Sequence, residues 1–150
     1  MYELLKYIHI LAAMVWVGGA FTLQIYGIYV SRSNDQTAIA RFGRDVSVVG
    51  GRVFPLASII LLIAGVLMVV QRWSFGQTWI LVALILWIAS LLAGILFIGP
   101  KSGKVGELFA AEGPNSTAAR ALMSQVFLVA RIELVSFAVI VFLMVFKPGA

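Results

Sequence analysis

The stretch TWILVALILWIASLLAGILFI, residues 78–98, carries no charged or titratable side chain. A helix needs roughly 20 consecutive, mostly apolar residues to cross the hydrocarbon core of a bilayer, and this run is long enough. Three further windows of the same kind flank it: Leu4–Val30, Val53–Val70 and Val126–Phe146. The chain is 62% hydrophobic, against about 45–50% in soluble domains. Two polar stretches, one short turn and a stub at each end make up the rest, too little for a separate soluble domain. The expected architecture is therefore all-α: one integral membrane four-helix bundle occupying residues 1–150. The first span is too long for the apolar core of a cleavable signal peptide, and no small-x-small exit site follows it.

The 150 residues hold 11 Lys and Arg against 6 Asp and Glu, a net charge of +5. Most of the basic residues lie between the spans or near their ends, where lipid headgroups and the topology rule account for them, so no nucleic-acid partner is expected. The chain has no cysteine, which excludes disulfides, thiolate metal sites and iron–sulfur clusters. It shows no nucleotide-binding loop, catalytic triad, HExxH or paired-carboxylate motif.

Spans 2 to 4 each carry a packing or turn signal. Gly50-Gly51-Arg52 precedes span 2, and Pro55 sits where a helix start tolerates proline. Ala89, Ser90, Ala93 and Gly94 give span 3 two small-xxx-small pairs. Gly113-Pro114-Asn115-Ser116-Thr117 reads as a breaker followed by a helix cap, with a short amphipathic lead-in expected to fuse into span 4.

His9 is the sole histidine, and it falls inside the first span. Ionisable side chains within a membrane are costly and are functional candidates by default. On a helix, steps of three and four from His9 reach Ala12, Ala13, Trp16, Gly19, Ala20, Leu23 and Gly27. Together with Gly18, this small-residue face admits a neighbouring backbone or a flat ligand. A neutral imidazole there suits haem iron or copper, or simply a hydrogen bond to another span. Met68 and Met144 lie at a similar depth, and two thioethers with an imidazole suit Cu(I). Methionines also fill irregular cores. Arg52, Arg131 and Glu133 lie toward the opposite edge, with Glu133 about 21 Å from the edge near Lys147 at 1.5 Å per residue. They read as an anion clamp and a proton path, or as a structural Arg52–Glu133 pair. Gln24 and Gln125 fit either network.

The segments Leu5-Lys6-Tyr7-Ile8-His9-Ile10-Leu11-Ala12-Ala13 and Trp16-Val17-Gly18-Gly19-Ala20 resemble the opening of an uncharacterised four-span bacterial membrane family. That family is allied to the membrane domain of copper-resistance D proteins. Met144-Val145-Phe146-Lys147-Pro148 resembles the ending of the same proteins. The layout is similar again to HemJ-type protoporphyrinogen oxidases, four-span haem b proteins that share the His-then-Trp-Gly opening and the Arg-to-Pro entry to span 2. The resemblance implies a small haem-binding protein of the bacterial inner membrane, with His9 as axial ligand and a redox or haem-handling role. Trp16, Gly18, Gly19 and Arg52 are the positions expected around such a cofactor. With one histidine per chain, bis-histidine ligation needs a second protomer, in a homodimer or a larger membrane assembly. Copper handling by His9, Met68 and Met144 is one alternative. A structural or accessory subunit without a cofactor is the other. The oxidases carry a lysine in span 3, and this span 3 has none, so oxidation of protoporphyrinogen is not expected.

Orientation follows from the basic residues. Arg32, Arg41, Arg44, Arg52, Lys101, Lys104, Arg120 and Arg131 fall on one side of a four-span chain; Lys6, Arg72 and Lys147 fall on the other. The richer side is expected in the cytoplasm, with both termini outside. A C-terminal reporter that works only in the cytoplasm should stay silent; activity would reverse the topology.

Overall fold

The computed structural model describes residues 1–33, 35–113 and 115–149; Pro114 of the expected breaker lies outside them. The described residues form helices and no strand. Helix α1 (Tyr2–Ala13), a π-helical turn (Met14–Gly18) and α2 (Gly19–Arg32) form one continuous rod. Helix α3 (Gln36–Arg72) is the second. Helix α4 (Thr78–Ala93), a second π-helical turn (Gly94–Ile98) and α5 (Gly99–Glu112) form the third, and α6 (Thr117–Phe146) is the fourth. All four rods are long and apolar enough to cross a membrane.

The rods run up and down. The first packs on the second through α1 and α3, the second on the third through α3 and α5, and the third on the fourth through α4 and α6. Contacts of α2 with α6 close the ring. Both termini therefore lie at one end, the terminal end; the opposite, arginine-rich end is the basic end.

The polar stretches between the apolar windows are largely helical. Helix α3 is 37 residues long, or about 55 Å at 1.5 Å per residue, and extends well past a hydrocarbon core of about 30 Å. Its N-terminal part buries Ala40, Gly43 and Val46 while Arg41, Arg44 and Asp45 stay exposed. Helix α5 buries Ser102, Val105, Gly106 and Phe109 and exposes Lys104 and Glu107. These spacings of three and four are amphipathic. The two buried stripes meet in a core of Ala40, Val105, Phe109 and Ala119, flanked by Leu108 and Leu122. At the helix starts, the Asp35 carboxylate accepts a hydrogen bond from the Ala38 amide at 3.1 Å. The Ser116 hydroxyl accepts from the Ala119 amide at 3.1 Å and donates to Glu112 at 2.6 Å. The lead-in to span 4 is continuous with it, as its helical spacing implies.

Pro55 corrects the expectation of a helix start beside it: it lies inside α3. A proline has no N–H for the carbonyl four residues earlier, so the Gly51 carbonyl has no donor from its own helix. Gly50 and Gly51 add two further weak helix formers. The helix persists through them because both of its halves are packed on neighbours.

Many inward positions are small, and many large aliphatic side chains point outward. Ala12, Ala57, Ala64, Ala83 and Ala119 are buried, while Leu56, Ile63, Ile85, Leu96, Ile132 and Val135 are exposed. In lipid, apolar surface gains little by leaving its surroundings, so close backbone approach holds the rods together. The closest approach lies between α3 and α5. A Cβ on Gly43 would fall 2.7 Å from the Ser102 carbonyl oxygen and 2.9 Å from the Gly106 nitrogen; one on Gly106 would fall 2.7 Å from the Ala40 carbonyl oxygen.

At the terminal end the Trp73 indole donates to the Tyr2 hydroxyl at 3.3 Å. Arg72 lies over the Tyr2 ring and Lys147 over the Trp73 ring. Trp73 meets Trp79 edge-on at 5.4 Å between centroids. These contacts clasp the ends of all four rods.

Gly43→Val should lower thermal stability in detergent by about 1–3 kcal/mol, the usual cost of overpacking. A Cβ at Gly51 meets nothing within 4 Å, so Gly51→Ala should be neutral or stabilising by up to about 1 kcal/mol. Equal losses in the two variants would contradict the packing.

Candidate functional site

His9 tilts its ring onto α3. Its Nδ1 lies 2.9 Å from the Leu61 carbonyl oxygen; a carbonyl only accepts, so Nδ1 carries the proton and donates. The ring occupies a notch over Gly65, where a Cβ would come within 3.1 Å of Cε1 and 3.3 Å of Nδ1. In this tautomer Nε2 is the free lone pair, and it has no hydrogen-bond partner among the described residues.

Among the described residues, none of the others expected around His9 is hydrogen-bonded to its ring. The small-residue face of the first rod is filled by aromatic rings of its neighbours. The place of a Cβ on Gly19 is taken by Phe54, 2.7 Å away, and that on Gly27 by Phe42 and Phe127, each at 2.9 Å. Trp16 is buried and packs on Phe137 with ring centroids 4.8 Å apart. Gly18 faces open space. A notch that admits a flat ligand admits a phenyl ring equally well, and here the chain supplies the rings. Arg52 is exposed, and the expected ion pair with Glu133 is not formed. Met68 is half-buried on α3, and Met144 packs against the cluster of Val69, Trp79, Ile80, Ala83 and Leu143. Neither sulfur is hydrogen-bonded to the His9 ring. No group of three or more His, Cys, Asp or Glu able to hold a metal occurs among the described residues.

Polar chemistry gathers instead in a cleft between all four rods, with about 100 Å³ of free volume. Trp16 and Gln24 line it from the first rod, Gly50 and Pro55 from the second, Ser90 and Gly94 from the third, and Glu133 and Phe137 from the fourth. Each rod is locally irregular or polar there. Trp16 sits in the first π-helical turn and Gly94 opens the second. Such turns shift the backbone register and recur at functional sites. Pro55 breaks the hydrogen-bond ladder of α3. On the wall, Ser90 donates to the Ser136 hydroxyl of α6 at 3.3 Å. Gly94 has nothing within 4 Å of a would-be Cβ, so half of the small-residue pair read in span 3 leaves space rather than contact.

Two polar groups in the cleft lack partners. The Gln24 side chain is 7% exposed, and its Nε2 has no hydrogen bond. Glu133 has neither a hydrogen bond nor an ion pair. The Ser58 hydroxyl and the Trp87 indole nitrogen are also buried without partners, but they lie off the cleft wall. Gln125, the other glutamine read with this network, is engaged elsewhere and accepts from Lys101 at 3.2 Å. Sequence reading singled out Gln24 and Glu133 as polar groups within spans. Their meeting on one cleft depends on helix rotation and on the two π-helical turns, which a 3.6-residue period does not encode.

Sites for drug-sized ligands and cofactors occupy about 300–1,000 Å³. The cleft is smaller, and His9 is not among its walls. The cleft and the His9 face are therefore separate parts of the molecule.

The family described as "predicted integral membrane protein (DUF2269)" matches residues 3–148, and the chain belongs to it. No curated protein matches the chain, and no solved structure does.

Proposed function

We propose that this member of the DUF2269 family is a membrane-embedded binding protein whose working element is the cleft between its four rods. One observation carries the reading: Gln24 and Glu133 both reach this cleft inside a membrane bundle, and neither has a partner in the protein. Leaving a buried polar group unpaired costs about 1–3 kcal/mol, and more for a charged group. A chain that keeps a buried amide and a half-buried carboxylate on one cavity wall has a use for them, and a bound molecule answers both. Aromatic walls with a few convergent polar groups are the usual make-up of small-molecule sites. The lipid bilayer is the surrounding medium. The basic-residue count supports an orientation with the basic end in the cytoplasm, and the family resemblance supports the bacterial inner membrane.

A Gly94→Leu substitution tests the reading, because an added Cβ there meets nothing within 4 Å and the longer side chain enters the cleft. Native mass spectrometry of the protein purified from its own membranes should reveal a retained small molecule that the Gly94→Leu protein lacks. Identical bound species in the two proteins would remove the cleft as the binding site.

A second reading is favoured by the His9 geometry. An imidazole whose Nδ1–H is held by a carbonyl presents Nε2 in the tautomer and orientation of a metal ligand. On this reading His9 ligates haem b at the periphery of the bundle, and a second protomer completes the site. The absorption spectrum of the purified protein should then show a Soret band that His9→Ala abolishes while leaving the protein folded. A band that survives the substitution would end the axial-ligand role, and a colourless wild type would end the haem reading.

A further inference from the structure

The chemistry of the cleft walls also selects the charge of what enters. We infer that the cleft takes a small organic cation, an amine that also carries a hydroxyl or carbonyl oxygen. The inference rests on the cleft being a binding site, as proposed above.

Glu133 is the only ionisable residue on the wall; no Lys, Arg or His lines the cleft. The chain has a net charge of +5, yet no basic side chain pairs with this carboxylate. Arg131, two residues away on the same helix, and Arg52 are both exposed. A carboxylate withdrawn from water is stabilised by a nearby cation, and groups of this kind inside membranes normally have one. An anion entering here would meet like charge in a low-dielectric setting, and a neutral molecule would leave the carboxylate unanswered.

The rest of the wall agrees. Trp16, Phe42, Phe54, Phe127 and Phe137 supply aromatic rings, whose faces attract cations and whose area covers an apolar chain. The Gln24 amide nitrogen is a donor without an acceptor, so the ligand brings an oxygen as well as an ammonium group. Size sets the upper bound. Free space of about 100 Å³ equals roughly three waters at about 30 Å³ each, enough for a head of a few heavy atoms.

Three molecules of nearly the same shape separate charge from fit: 1-amino-2-butanol (cationic at neutral pH), 1,2-butanediol (neutral) and 2-hydroxybutanoate (anionic). Their binding to the purified full chain is measured by calorimetry or ligand-observed NMR. The amine should bind at least about tenfold more tightly than the diol, a difference of about 1.4 kcal/mol, and the anion should not bind. Glu133→Gln should bring the amine to the level of the diol, and Gly94→Leu should abolish binding of both. The wild-type comparison stands even if Glu133→Gln fails to fold. Equal affinity for amine and diol would overturn the charge assignment and leave the cleft as a site for neutral molecules. Amine binding that survives Gly94→Leu, or no binding by any of the three, would overturn the cleft reading itself.

Discussion

The backbone of α3 touches the backbone of α5 at Gly43, Ser102 and Gly106, and the rest of the bundle is arranged around contacts of this kind. In lipid the rods gain nothing by hiding leucine from leucine. They adhere where small residues let main chains approach and dispersion contacts accumulate. Alanine, glycine and serine therefore occupy many interior positions, and many large aliphatic side chains point to the bilayer. The α3–α5 contact also extends the bundle beyond the membrane at the basic end. There Ala40, Val105, Phe109 and Ala119 form a conventional apolar core under a cationic surface.

Close packing along most of each rod makes its interruption informative. Two π-helical turns and an intrahelical proline fall at the walls of one cleft, and Gly50 and Gly94 on those walls leave their space empty where Gly43 and Gly106 are in close contact. Regular helices would close this gap. Gln24, Ser90, Ser102 and Glu133 are the polar residues on its wall, among rings and aliphatic side chains. His9 belongs to a different part of the molecule. Its bond to the Leu61 carbonyl ties α1 to α3 near the terminal end, and its free nitrogen is directed away from that bond.

The four spans were legible because an uninterrupted apolar run of about 20 residues has few other meanings. The helices of the basic end were less so. Arg41, Arg44 and Lys104 lower any hydropathy average, although Ala40, Gly43 and Val46 repeat at helical spacing and mark the same segment as amphipathic. Gly50, Gly51 and Pro55 read as a helix start because each is a weak helix former, and only the packing on both sides shows that α3 continues through them. On the first span the small-residue face was visible from His9 to Gly27, but its occupant was not. Phe54, Phe42 and Phe127 come from distant parts of the chain, and helix rotation decides whether a ring or a ligand fills a notch. The same rotation keeps Arg52 from Glu133, which share a depth in sequence but not a face.

An open cleft in the middle of the bundle, walled by rings with a few polar groups, is the central claim, and thiol accessibility measures it directly. The chain has no cysteine of its own, so each introduced one is read alone. In membranes, Gly94→Cys should react with a small water-soluble thiol reagent. Leu96→Cys, two residues away and exposed on the outer face of the third rod, should not. Reaction at Leu96→Cys with none at Gly94→Cys would contradict the account.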